Sequence, residues 1–146
     1  MAFGMRRWAE YSEHAGNDTW LYFMDHVPPA FRLYWPENPS LNLPDGSRSG
    51  GAYHSGDLAF VFGNTHRVGL DWHEDDHKLS QYMVKYWTNF ARTGNPNGSD
   101  LPVWQKFNTD TYATQRLTIT PLSIDGVRRS KIDILSAAHP MFENKQ

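Results

Sequence analysis

Residues Asp75 to Thr93 carry an apolar stripe too broad to be left facing water. Leu79, Tyr82, Met83, Tyr86, Trp87 and Phe90 follow one another at spacings of 3, 1, 3, 1 and 3, which is one face of a 3.6-residue helix. Glu74, Asp75 and Asp76 sit at its start, Arg92 in its last turn, and Gly94 then Pro96 end it, so dipole, cap and periodicity agree. The spacing predicts a covering helix, with Trp87 and Phe90 buried against a sheet or another chain. Thr19 to Met24 is short, aromatic and almost unbroken in apolarity, the pattern of a central strand buried on both faces. The chain offers only one or two further short strands, among them Arg116 to Thr120. The surface to be covered therefore exceeds the partners available. The sequence reads as part of a larger α/β domain, or as an obligate assembler.

Composition narrows the classes. At 146 residues, one domain is the expectation. The 14 Lys and Arg against 16 Asp and Glu, a net charge of -2 without long runs of one sign, give no electrostatic footprint for nucleic acid. No apolar run is long enough to span a bilayer, and Met1 to Glu10, with Arg6, Arg7 and Trp8, lacks the apolar core of a signal peptide. Cysteine is absent. That excludes disulfides, thiolate metal sites and a cysteine nucleophile, and leaves the compartment open. The 6 Trp, 7 Tyr and 8 Phe are too many for a disordered chain and must be buried somewhere.

The remaining segments place the candidate chemistry. Met1 to Ala15 reads as a helix with Met5, Trp8 and Ala9 on one side, stopped by Gly16-Asn17. From Val27 to Gly51 the density of Pro and Gly predicts a loop of some 25 residues, a length usually kept for function. Asp57 to Phe62 reads as a brief helix with Ser55 or Asp57 near its start. Beyond the long helix come a turn at Asn95 to Gly98, a Leu-Pro-Val-Trp segment, a turn at Asp125-Gly126 and an amphipathic end around Ile132 to Ala138.

Two histidine motifs compete. His73-Glu74-Asp75-Asp76-His77 is a literal His-Glu-x-x-His, whose i, i+4 imidazoles would face one zinc ion. Both intervening residues are Asp at a helix start, where capping and the helix dipole explain them. Ser80 and Met83 stand where the longer metal-binding form has Gly and a third His. The segment reads as a solvated helix N-terminus, and no metal is expected. His54, in Gly50-Gly51-Ala52-Tyr53-His54-Ser55-Gly56-Asp57-Leu58, lies on a loop after a strand, where α/β enzymes place ligands and catalytic groups. By pattern alone it reads first as an ordinary loop histidine. Asp57 either orients the imidazole or caps the next helix. No Gly-x-Ser-x-Gly occurs, so no nucleophile elbow is present.

The run Gly51 to Gly63 (Gly-Ala-Tyr-His-Ser-Gly-Asp-Leu-Ala-Phe-Val-Phe-Gly) resembles the catalytic-histidine segment of the type B carboxylesterase and cholinesterase family. Ser80 to Asn97, followed by Leu101-Pro102-Val103-Trp104, is similar to that family's next landmark, and Trp20 to His26 to its upstream strand. The resemblance covers Ala9 to about Thr120. It implies an α/β fold, the C-terminal portion of an α/β-hydrolase sheet-and-helix domain to which residues 1–146 all belong. It also implies a triad in the order Ser, Glu or Asp, His, with His54 as last member and general base. The substrate class so implied is a small carboxylic ester, with no cofactor. The nucleophile, its acid and the oxyanion loop would come from an upstream part of the same fold, in cis or as another chain. Tyr34, Trp35 and Tyr53 would suit an apolar or aromatic acyl group. The same family also resembles cell-adhesion proteins that keep the fold as a binding module, which is the alternative reading; a remnant open reading frame is a third. Retention of His54 within its motif favours the enzyme, since adhesion makes no demand for an imidazole there.

Overall fold

The computed structural model describes residues 2–29, 48, 50–66 and 71–138. Most of the expected long loop, with Tyr34 and Trp35, lies outside the described residues. In order along the chain the elements are α1 (Ala2–His14), β1 (Tyr22–Met24), α2 (Leu58–Val61), α3 (Glu74–Thr93), β2 (Thr114–Leu117), β3 (Leu122–Ile124) and α4 (Arg129–Ala138). The three strands form one sheet in the order β1-β2-β3. The Gln115 N–H donates to the Leu21 carbonyl (2.9 Å), and the Asp25 and His26 N–H groups donate to that of Leu117 (3.0 and 3.1 Å). Partners advance together along both segments, so β1 and β2 run parallel.

This sheet revises the reading of 19–24. The strand is three residues long, lies at an edge of the described sheet, and leaves Tyr22 exposed. β2 is the middle strand. It begins two residues before the expected Arg116, because Gln115 is already paired, and ends at Leu117 ahead of the bend into Pro121, which has no N–H for a ladder. β3 had no distinct sequence signal.

The described residues divide into two compact units. The first draws on residues 2–23, 104–115 and 123–138. Ala9, Trp104, Phe107, Ala113 and Ile132 are its buried apolar groups. The Trp104 indole N–H donates to the Leu21 carbonyl (3.2 Å), and its ring meets Tyr22 edge to face. Of the face its sequence suggests, α1 buries Ala9 but leaves Met5 and Trp8 exposed. Arg6, Ala9 and Glu10 point inward and Trp8 is 69% exposed. The reason is electrostatic. Arg6 pairs with Glu10 (3.0 Å) and with Asp133 of α4 (2.6 Å), while its guanidinium lies 4.5 Å from the centre of the Tyr112 ring. Arg129 lies at the same distance from that ring. Tyr112 thus sits against two cations, and Asp133 faces both of them, at 2.6 Å from Arg6 and 3.9 Å from Arg129.

The second unit, described residues 24–29, 48, 50–66, 71–103 and 116–122, is organised by α3. Leu79, Met83 and Tyr86 are fully buried, as is Phe60 of α2. The Ser80 hydroxyl donates to the Phe60 carbonyl (2.9 Å), and the Tyr86 hydroxyl to that of Pro102 (2.6 Å). Gly94 closes the helix with φ of 74°, its N–H on the Phe90 carbonyl (2.8 Å), a left-handed cap that glycine adopts without strain. The expected stripe is thus real but narrower. Trp87 is half-buried and Phe90 is 48% exposed, whereas Leu79, Met83 and Tyr86 are fully buried. Met83→Ala should cost about 2–5 kcal/mol, whereas Phe90→Ala should cost about 1 kcal/mol or less. Urea unfolding of the two variants checks the order.

Candidate functional site

The site is built on the loop between Gly50 and α2, within the second unit. Gly51 turns with φ of 64°, and Tyr53 N–H bonds the Gly51 carbonyl (3.1 Å). Gly56 N–H then closes on the Tyr53 carbonyl (3.1 Å) and Leu58 N–H on that of Ser55 (3.2 Å), so His54 stands at the crest of consecutive turns that lead into α2. Ser55 also has positive φ, 65°, and its hydroxyl bonds the His54 carbonyl (2.5 Å). It is therefore not the cap of α2. Asp57 holds the cap position, but its side chain makes no cap hydrogen bond.

His54 is exposed, and among the described residues its imidazole has no hydrogen-bond or ion-pair partner. The rear of the loop is tightly held. The Tyr53 hydroxyl donates to the Pro29 carbonyl (3.1 Å), and burial pushes that phenol above its ordinary pKa. A Cβ on Gly56 would stand 3.0 Å from Pro28 Cγ and 3.1 Å from the Tyr53 carbonyl oxygen, so only glycine lets the loop close this far onto Pro28 and Pro29, both fully buried.

Behind that run lies a cluster not anticipated from the sequence. Asp76, expected as one of several solvated acids at the start of α3, is 0% exposed. It receives Arg48 in a forked pair, Nη1 on Oδ1 (3.1 Å) and Nη2 on Oδ2. His26 Nε2 meets Oδ1 at 2.5 Å, and the His73 N–H donates to Oδ2 (2.7 Å). Arg48 also donates to the carbonyls of Val27 (2.7 Å) and Asp71 (3.1 Å). Burial by itself would raise the Asp76 carboxyl, but Arg48, the His73 N–H and His26 outweigh it and hold the group below the usual carboxylate value. One signal was available. Asp76, Leu79, Ser80 and Met83 share the i, i+3, i+4, i+7 face that α3 buries, and a carboxylate on such a face needs built-in partners.

The two histidines of the zinc-like motif have different neighbours. His73 is the residue before the first turn of α3 and lies exposed beside Asp71 (3.4 Å), whereas His77 Nδ1 lies 3.0 Å from the Thr65 hydroxyl. Among the described residues no three His, Cys, Asp or Glu side chains gather where they could hold a metal ion. No described helix is long and apolar enough to cross a membrane.

Residues 1–134 match the model of the carboxylesterase family. The chain belongs to the carboxylesterase family. It is 37% identical over 102 residues to carboxylesterase 4A of Bos taurus and 37% identical over 107 residues to human carboxylesterase 5A. These alignments cover 70% and 71% of this chain but 16% and 17% of the relatives, so the chain spans about a sixth of their length. The fold is also that of carboxylesterases. The structure of a Geobacillus stearothermophilus carboxylesterase superposes with a TM-score of 0.70 at 24% identity, over 92% of this chain and 25% of that one. The carboxylesterase-like chain thus carries part of an α/β-hydrolase fold, with the three strands and the helices described above.

The Asp76 cluster gives this site a pH dependence. A carboxyl held below its unfolded value, about 3.9, contributes stability that is fully present above about pH 4 and is lost as pH falls through the lowered folded value. The melting temperature should hold between pH 7 and 5 and decline below about 4. Asp76→Asn should melt lower at pH 7 and show a flatter acid decline, as read by thermal scans across that range.

Proposed function

We propose that this chain is the histidine-bearing, C-terminal part of a carboxylic ester hydrolase of the serine type, with residues 1–146 belonging to one α/β-hydrolase domain. The observation that carries the reading is His54: an exposed imidazole on a loop held rigidly from behind, within a chain of the carboxylesterase family. In this reading His54 takes the proton from a serine hydroxyl as that oxygen attacks the ester carbonyl, then gives it to the departing alcohol oxygen. In the second half it takes a proton from water, whose oxygen attacks the acyl carbon, and returns it to the serine as the acid leaves. An imidazole suits this exchange near neutral pH.

The serine, its acidic partner and the oxyanion donors come from the part of the fold upstream of this chain, in cis or as another polypeptide. Attack, orientation and oxyanion stabilisation are separate contributions to rate, so the chain by itself should not turn over esters. The apolar groups left exposed, Trp8, Phe62, Phe90 and Ile134 among them, are in this reading surfaces that the rest of the fold covers.

The test is p-nitrophenyl ester turnover by four samples: the chain alone, the upstream segment alone, their mixture, and the mixture with His54→Ala. Turnover is expected only in the third, with kcat lower by several orders of magnitude in the fourth. Robust turnover by the chain alone would overturn the partition of the machinery, and a fully active His54→Ala mixture would overturn the catalytic role.

A further inference from the structure

His54 is held by a path of contacts that starts at a buried charge pair, not by its own side chain. The imidazole has no partner among the described residues, so its place depends on the backbone of residues 53–56. That backbone rests on Pro28 and Pro29 through the Tyr53 hydroxyl and the close approach of Gly56. The residue before them, Val27, has its carbonyl fixed by Arg48 Nη1 at 2.7 Å, and Arg48 in turn is gripped by both oxygens of Asp76. His26, on the other side of Val27, meets Asp76 Oδ1 at 2.5 Å. The segment 26–29 is therefore pinned at its start by one buried carboxylate, and its far end carries the loop.

A carboxylate bound to a planar guanidinium at two points sets direction as well as distance, which is what a remote support for a catalytic loop requires. From this we propose that Arg48 and Asp76 are positioning residues for His54, acting through Val27, Pro28 and Pro29. The inference rests on the reading of His54 as the general base. It adds that the reaction depends on a pair that touches neither substrate nor serine. A displacement near 1 Å at the reacting group costs on the order of 10²-fold in rate, so loss of Arg48 should lower kcat by about 10- to 100-fold while KM stays within about twofold.

The experiment has two parts. In the chain alone, hydrogen exchange of the Tyr53, Gly56 and Leu58 amides is measured in the native protein and in Arg48→Ala. Exchange should quicken at those amides by about tenfold or more, with that of residues 80–90 unchanged. In the ester-hydrolysing mixture, Arg48→Ala should show the kcat loss without a KM change, and millimolar guanidinium, far below denaturing levels, should restore about tenfold of it by occupying the place between Asp76 and the Val27 carbonyl. Arg48→Lys serves where Arg48→Ala does not fold: it keeps the charge and loses the fork, and should show the same kcat loss. His54→Ala runs beside them. If His54→Ala is inactive while the Arg48 variants keep full kcat and unaltered loop exchange, the positioning role is overturned. If His54→Ala is itself fully active, the failure belongs to the reading beneath it.

Discussion

A single carboxylate, Asp76, is the point on which the second unit is organised. Placing a charged group at zero exposure is costly unless every lone pair finds a donor, and Asp76 meets that demand with Arg48, His26 and the His73 N–H. Each donor comes from a different stretch of chain. The start of α3, the residues after β1 and the end of the long loop are therefore brought to one point by charge. Removing any one donor leaves the others facing an under-compensated anion.

Each unit combines buried apolar groups with buried charge. In the second, α3 supplies an apolar edge in which Leu79, Met83 and Tyr86 are fully buried, and two hydroxyls, of Ser80 and Tyr86, satisfy carbonyls that would otherwise be stranded. In the first, α1 meets its neighbours through Arg6, whose guanidinium bridges Glu10, Asp133 and the face of Tyr112. Dispersion and hydration act in both, with Asp76 as a buried charge of the second and Arg6 and Glu10 as those of the first. The consequence for α1 is that its apolar side chains, Met5, Trp8 and Tyr11, are left exposed.

Much of the architecture was legible. The helix over 75–93, its acidic start and its Gly94 stop follow from local periodicity and capping, interactions between residues three or four apart that need no distant partner. The mismatch between covering helices and available strands was also readable, and the chain does superpose on a quarter of a carboxylesterase fold. The family resemblance through Gly51 to Gly63 rests on a run of residue types, and the family match over residues 1–134 agrees with it. Legibility failed where burial is decided by remote contacts. Trp8 and Phe90 look inward by periodicity and are exposed, because periodicity says which residues share a face and not whether anything covers it.

The sequence by itself determined the helices, the break between them, the family and the candidate His54, since each is written in neighbouring residues. Only the tertiary structure decided which acid of Glu74, Asp75 and Asp76 is buried, that Arg48 from the end of a long loop reaches it, and that β2 rather than β1 is the middle strand. The physical reason is common to all three. Local propensity is set by steric and hydrogen-bonding choices within a turn or two, whereas burial, charge pairing and strand order depend on residues up to 127 positions apart, as Arg6 and Asp133 are, brought together only when the chain folds.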